Sequence, residues 1–338
     1  MKFGIFDHLD DAGIAPDQFF ENRLQLVEAY DRAGIYAYHV AEHHATPLGL
    51  GGSPGIYLSA VAQRTKRLLF GPMVYILPFY HPIRLIEEIC MLDAISKGRL
   101  QLGVGRGVSP LETAAYGIDP EKTGKMYHEG FQLLMKGLSS EVLDFAGEFY
   151  NFKDVPMILK PMQRPHPPLW YGLVFPDQAT WPAANDVNII ALGMRSGIRA
   201  VMDRYTAERV KNGKNPKKTP LMGSMRHVVV APTDNEAIVI ARKAYAKWAN
   251  SFYWLWDRHG ADPHIRDIYP ATFDALAAAD NGIAGSPETV RKYIAAEVEA
   301  TGINYFVSWL AFGDMTLKES LQSVDLFSRE VMPAFANK

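Results

Sequence analysis

The stretch Ser96-Lys97-Gly98-Arg99-Leu100-Gln101-Leu102-Gly103-Val104-Gly105-Arg106-Gly107 decides the fold. Alternating apolar residues from Leu100 to Val104 predict a strand, and the strand ends in an arginine held between two glycines. Gly105 and Gly107 let the backbone approach a phosphate or a ring closely, while Arg106 brings a permanent cation and a planar fork of donors. The same residues also suit a tight turn with a solvated arginine, or a salt bridge at a rim, so the run takes its meaning from its neighbours. Just ahead of it, Pro82 opens a helical stretch from Ile83 to Asp93 that closes at Gly98. Earlier still, Ala41-Glu42-His43-His44 ends a second predicted strand, and Leu77-Pro78-Phe79-Tyr80-His81-Pro82 follows a third.

The strand-and-helix unit repeats along the chain. Strands are predicted at Lys2 to Phe6, Ile35 to Ala41, Leu68 to Leu77 (interrupted by Gly71-Pro72), Leu100 to Val104, Pro168 to Leu173, Asn188 to Leu192, Met225 to Ala231 and Asn304 to Trp309. Helical spacing fills the intervals, with Gly34 as a C-cap after Phe20, Leu24 and Val27. Near-continuous apolar strands separated by helices predict a parallel sheet covered on both faces, and eight of them close economically into a (β/α)8 barrel. An open doubly wound sheet would want G-x-G-x-x-G after strand one, where this chain has Asp7-His8-Leu9-Asp10. No low-complexity linker divides the chain, so residues 1–338 read as one domain; the basic run Lys211 to Lys218 is a solvated loop. Residues 252–285, with Phe252, Tyr253, Trp254, Trp256 and Tyr269, exceed what a βα connection needs and read as a lid inserted before the last strand.

Composition narrows the partners. Of 338 residues 48% are hydrophobic and 21% charged, with a formal net charge of −2, which carries neither a nucleic-acid footprint nor a disordered tail. A small-molecule partner is expected. The single cysteine, Cys90, sits in an apolar helical stretch and leaves no internal disulfide or Cys-based zinc site, in keeping with a reducing compartment. With neither a signal-peptide core nor a long apolar run, the chain is expected to be soluble, cytoplasmic and free of the membrane.

In a barrel, chemistry gathers at the carboxyl ends of the strands. His8, Glu42-His43-His44, Tyr75 to His81, Arg106, Gly172 and Trp309 all fall there and would ring one mouth. A Glu-His-His string could suggest a metal, but adjacent residues on a regular strand face opposite ways, so no metal site is expected.

These blocks carry a resemblance. Glu42-His43-His44 continued to Pro54, Arg64-Thr65-Lys66-Arg67-Leu68, Leu77-Pro78 with His81-Pro82-Ile83-Arg84, Leu92 to Arg99, and Gly103-Val104-Gly105-Arg106-Gly107 resemble the bacterial luciferase-like flavin monooxygenases, the luciferase alpha subunit in particular. Gly285 to Thr289, Ala300 to Asn304 and Val331-Met332-Pro333 extend the likeness to the C-terminal half. The resemblance implies a TIM barrel in a two-component system, receiving reduced FMN from a separate NAD(P)H:flavin reductase. It would oxidise a small apolar aldehyde, other carbonyl or heteroatom compound with O2 through a flavin C4a-peroxide. It implies His43 as the catalytic histidine with His44 as a second choice, and Arg106 at the phosphate or ribityl region. Met73, Val74 and Tyr75 would form the wall against the ring, with a non-prolyl cis bond among them, and Gly172 would lie nearby. His8, Trp254 and Trp309 would shape the substrate pocket, each being equally suited to a packed core. A homodimer through Ile83 to Leu92 is also implied.

Two departures bear on the phosphate. Gly172-Leu173-Val174-Phe175 stands where members carry Gly-Gly or Glu-Ser, and Gly124-Lys125 stands near a usual arginine. Lys125 and Thr180 are the substitutes at hand, and a weaker grip on flavin is expected. An F420-dependent hydride-transfer enzyme and a non-catalytic flavin-binding relative are the alternatives on the same blocks.

Overall fold

The computed structural model describes residues 1–216 and 218–336; Lys217 of the basic loop and the last two residues lie outside the described residues. The strands are β1 (Lys2–Asp7), β2 (Ala37–Val40), β3 (Leu69–Pro72), β4 (Tyr75–Ile76), β5 (Leu102–Gly105) and β6 (Val142–Ala146). They continue with β7 (Asn151–Pro156), β8 (Leu169–Leu173), β9 (Asn188–Ala191), β10 (Met222–Val230), β11 (Gly282–Gly285) and β12 (Tyr305–Trp309). The helices are α1 (Pro16–Ala33), α2 (Pro54–Arg64), α3 (Pro82–Ser96), α4 (Pro110–Ala115), α5 (Thr123–Ser139) and α6 (Thr180–Ala184). After them come α7 (Arg195–Lys211), α8 (Asp234–Arg258), α9 (Phe273–Ala278), α10 (Pro287–Thr301) and α11 (Leu317–Leu326).

The main sheet runs β3-β2-β1-β12-β10-β9-β8-β5-β4, every pairing parallel. Since β4 continues β3 beyond Met73 and Val74, the two ends of that order are neighbouring pieces of one chain segment. The Phe70–Leu100 bridge, with Gln101 N–H donating to the Phe70 carbonyl at 2.8 Å, joins β3 to β5 and closes the cylinder. This is the expected TIM barrel. Alternation along the strands builds its two cores. Phe6, Met73, Trp170, Met225, Tyr305, Val307 and Trp309 point inward, whereas Ile5, Tyr38, Val40, Phe70, Val104 and Ile189 pack beneath the helices. Large inward side chains need small ones opposite: a Cβ on Gly4 would fall 1.7 Å from the Tyr305 hydroxyl. Trp170 Nε1 donates to Gln101 Oε1 at 2.8 Å, and His39 Nε2 meets the Tyr305 hydroxyl at 2.9 Å, two side-chain pairings made inside the barrel.

Three features differ from the sequence reading. First, β6 and β7 form an antiparallel hairpin beside the barrel, so not every strand is parallel. Its half-exposed pattern is too polar to read as a barrel strand, and Glu129 of α5 holds it by accepting from the backbone of Glu148, Phe149 and Tyr150. Second, residues 252–285 are not one insertion. Phe252 to Arg258 complete the 25-residue α8, and β11 pairs parallel with β10 along the edge that β9 leaves. The intervening stretch, including α9, is the part that departs from the barrel. Third, Tyr75 faces outward, donating to Glu88 Oε1 at 2.9 Å with its ring on Tyr80. Met73 and Val74 both pack with the inner cluster, so alternation shifts by one there, at the peptide that is cis.

Beneath the mouth, the end of β1 is tied to α1 by charge. Arg23 lies 3.6 Å from both Asp7 and Asp10, and Asp10 also accepts from Gly313 N–H at 2.6 Å. Burial, opposed by Arg23 and reinforced by Asp7, raises the Asp10 carboxyl to about 7.

Candidate active site

The β2–α2 loop, α4 and the C-terminal half of α8 meet over the barrel mouth. Ser109 caps α4, accepting from Glu112 N–H at 3.3 Å, and this sets Glu112 on the first turn. The Glu112 carboxylate faces the histidines: Oε1 meets His43 Nδ1 at 3.0 Å and Oε2 accepts from His44 N–H at 3.0 Å. His44 turns the other way. Its Nε2 meets Glu42 Oε1 at 2.9 Å and its Nδ1 meets the Tyr116 hydroxyl at 2.8 Å. Glu42 also accepts from Ile76 N–H at 2.9 Å, pinning β4; burial raises its pKa against the pull of His44 and that N–H. The two histidines therefore diverge, His43 as a carboxylate-oriented imidazole and His44 as part of the wall. Among the described residues no cluster suited to a metal occurs.

His8 lies beside His43, ring centres 5.4 Å apart, and stacks on Trp309 at 5.6 Å. Trp309 is in turn stacked at 4.4 Å on His227, which Trp248 meets edge-on. Burial holds both His8 and His227 well below the ordinary histidine value. Tyr269 from the stretch after α8 packs on Trp248 and Phe252, roofing this cluster. Trp254 is separate from the group. At 41% exposed it lines a cleft of about 450 Å³ together with Ala45, Leu111, Ala115, Leu255 and Arg258.

The far side of the mouth is barer. Arg106 is exposed and has no hydrogen-bond or ion-pair partner among the described residues. A Cβ on Gly103 would fall 2.2 Å from the Pro72 carbonyl oxygen, so β5 and β3 approach as only glycine allows, and a Cβ on Gly172 would meet nothing within 4 Å. The space above Gly172, the inward Met73 and Val74, and an unpaired guanidinium fit a flat ring with an anionic tail. The two substitute donors are engaged elsewhere. Lys125, 71% exposed, lies 3.5 Å from Glu148 of the hairpin, and Thr180 accepts from Arg204 at 3.2 Å. Backbone N–H groups of Val174 and Phe175 donate to the Gln178 side chain at 2.8 and 2.9 Å.

Glu112, Trp248 and His227 escape the sequence reading. Ser109-Pro110-Leu111-Glu112 has the spacing of a helix start, which hides the carboxylate's second role. Period-two alternation inward along β10 from Met225 would have found His227; Trp248 had only its place on a long helix.

Residues 1–305 match the luciferase-like monooxygenase family. The chain belongs to that family, and is an oxidoreductase of the monooxygenase kind. It is 39% identical to protein y4wF of Sinorhizobium fredii, over 98% of this chain and 96% of that one. It is 25% identical to the oxygenase component of the flavin-dependent trigonelline monooxygenase of Acinetobacter baylyi, over 99% and 96%. The oxygenating constituent of 3,6-diketocamphane monooxygenase from Pseudomonas putida, a structure in complex with FMN, superimposes with a TM-score of 0.80 at 22% identity over 98% of both chains. F420-dependent enzymes share the fold as well.

Proposed function

We propose that this protein is the oxygenase component of a two-component monooxygenase, using reduced FMN from a separate reductase, and O2, to oxidise a small apolar carbonyl or heteroatom compound. The observation that carries the reading is the His43–Glu112 pair at 3.0 Å, set on the rim beyond β2, beside Met73 and Val74, which follow the neighbouring β3. Bound reduced FMN would supply the electrons for reaction with O2. Arg106 would hold its phosphate or ribityl chain, Met73 and Val74 its ring face, and Gly172 the room for it; Thr180 and Lys125 are reserve donors. Glu112 accepts the Nδ1 proton of His43, which leaves the other nitrogen of His43 free to take and return a proton at the reacting atoms. Tyr269 and the stretch after α8 serve as the lid that excludes water, and the cleft beside Trp254 admits substrate.

FMN in the diketocamphane enzyme and the "oxygenase component" in the trigonelline enzyme's name support the cofactor and the reductase. Ile56, Met91 and Ile95 stand 75%, 54% and 41% exposed on adjacent helices α2 and α3, which supports a homodimer through that face. Buried Cys90 agrees with a cytoplasmic setting, and among the described residues no helix is long and apolar enough to cross a membrane. Anaerobic titration with reduced FMN, oxidised FMN and reduced F420 tests the cofactor. Reduced FMN should bind most tightly, and preference for reduced F420 would replace oxygenation by hydride transfer.

A further inference from the structure

His8, 6% exposed just past the C-terminal end of β1, is ringed by aromatic side chains. Phe6 meets it edge-on at 5.0 Å, Trp309 lies nearly parallel to it, and Trp248 flanks it at 5.8 Å. Trp248 Nε1–H donates to His8 Nδ1 at 3.1 Å. An indole nitrogen only donates, so Nδ1 must offer a lone pair and the ring proton must reside on Nε2. Burial and the neighbouring His43 and His227 keep the ring neutral. Nε2 has no partner among the described residues, yet it is not sealed away as both ring nitrogens of His227 are. A fixed donor thus stands beside His43, whose own open nitrogen is an acceptor when Glu112 takes its Nδ1 proton.

We propose that His8, locked by Trp248 as the Nε2–H form, donates a hydrogen bond to the carbonyl oxygen of an apolar substrate, with Trp248 as its positioning residue. Among the described residues the aromatic walls offer the ring no other polar partner, and the open Nε2–H suits an acceptor atom. An ammonium group is refused, since donor would face donor. The proposal rests on reading the mouth as the substrate site, and deepens that reading by naming the substrate's polar group.

Two measurements on the full chain test it without flavin or oxygen, so a failure to oxygenate would overturn the functional reading and leave this one standing. Nitrogen NMR on histidine-labelled protein should show His8 as the Nε2–H tautomer, and Trp248→Phe should convert it to an exchanging mixture. A mixture in the unaltered protein overturns the lock. Quenching of tryptophan fluorescence then compares 4-phenylcyclohexanone with phenylcyclohexane. The ketone should bind about fivefold more tightly, as one neutral hydrogen bond provides. The preference should vanish in His8→Phe and shrink in Trp248→Phe; full preference in a folded His8→Phe shows that His8 is not the donor, and full preference in a folded Trp248→Phe overturns the positioning role of Trp248.

Discussion

The two sides of the barrel mouth differ in how far their hydrogen bonding is already committed. On the β2 side, both oxygens of Glu112 and both of Glu42 are engaged, by His43, His44 and two backbone N–H groups. On the β5 and β8 side, Arg106 has no described partner, Gly172 borders open space, and the loop's N–H groups are spent on Gln178. If His43 handles protons as proposed, its carboxylate partner is already in place, which is where fixed dipoles and charges contribute most to a reaction. On the proposed reading, anion holding would fall to Arg106, an exposed guanidinium without a described partner, whose geometry the ligand would set. That division suits an enzyme that receives its cofactor transiently.

The contrast can be broken at either side. His43→Ala should lower product formation about a hundred- to ten-thousandfold, the usual span of general acid–base help, while reduced-FMN affinity stays within about threefold. Parallel loss of affinity would show that His43 belongs to the binding wall. Glu112→Gln keeps size and one acceptor but removes the charge that orients His43; product formation should fall about tenfold or more, with a displaced pH profile. Arg106→Ala should raise the dissociation constant of reduced FMN about ten- to a hundredfold and leave turnover at saturating flavin unchanged, as a charge-assisted contact predicts. Unchanged affinity would assign Arg106 to the solvated rim.

A smaller effect is expected in the pH dependence of stability. Because the folded pKa of Asp10 is raised from 3.8 to about 7, the folded state keeps a proton that the unfolded chain has lost. Its stabilising contribution is therefore complete below about pH 4 and disappears as pH rises through 7. Urea midpoints should fall between pH 5 and 8 in the unaltered protein, and Asp10→Asn should flatten that fall. An equal fall in both would remove Asp10 from the explanation.

Each side of the mouth is legible in the sequence where it stands at the end of a barrel strand. Glu42-His43-His44 and Gly105-Arg106-Gly107 stand at strand ends that apolar alternation reveals, and the barrel follows from eight such strands. Glu112 was hidden because its partners lie 69 and 68 residues earlier in the chain and its local spacing already had a helix-start explanation. Tyr75 was misplaced because alternation shifts between Met73 and Val74, a register change no composition signals. The short β11 and the polar hairpin carry too little apolar pattern to declare themselves. The lid reading failed at its edges for the opposite reason: the aromatic residues from Phe252 to Trp256 that suggested a loop belong to the last turns of α8, with Tyr253 buried and Phe252 turned onto His8.

The most direct measurement is a single turnover under ¹⁸O₂, mixing the protein with one equivalent of chemically reduced FMN and either decanal or 4-phenylcyclohexanone, and analysing product and hydrogen peroxide together. One labelled oxygen atom should enter the product for each reduced FMN consumed, and that yield should collapse into peroxide in His43→Ala. Recovery of all the label as peroxide with the unaltered protein, indistinguishable from His43→Ala, would contradict the assignment of this site to oxygenation of carbonyl compounds.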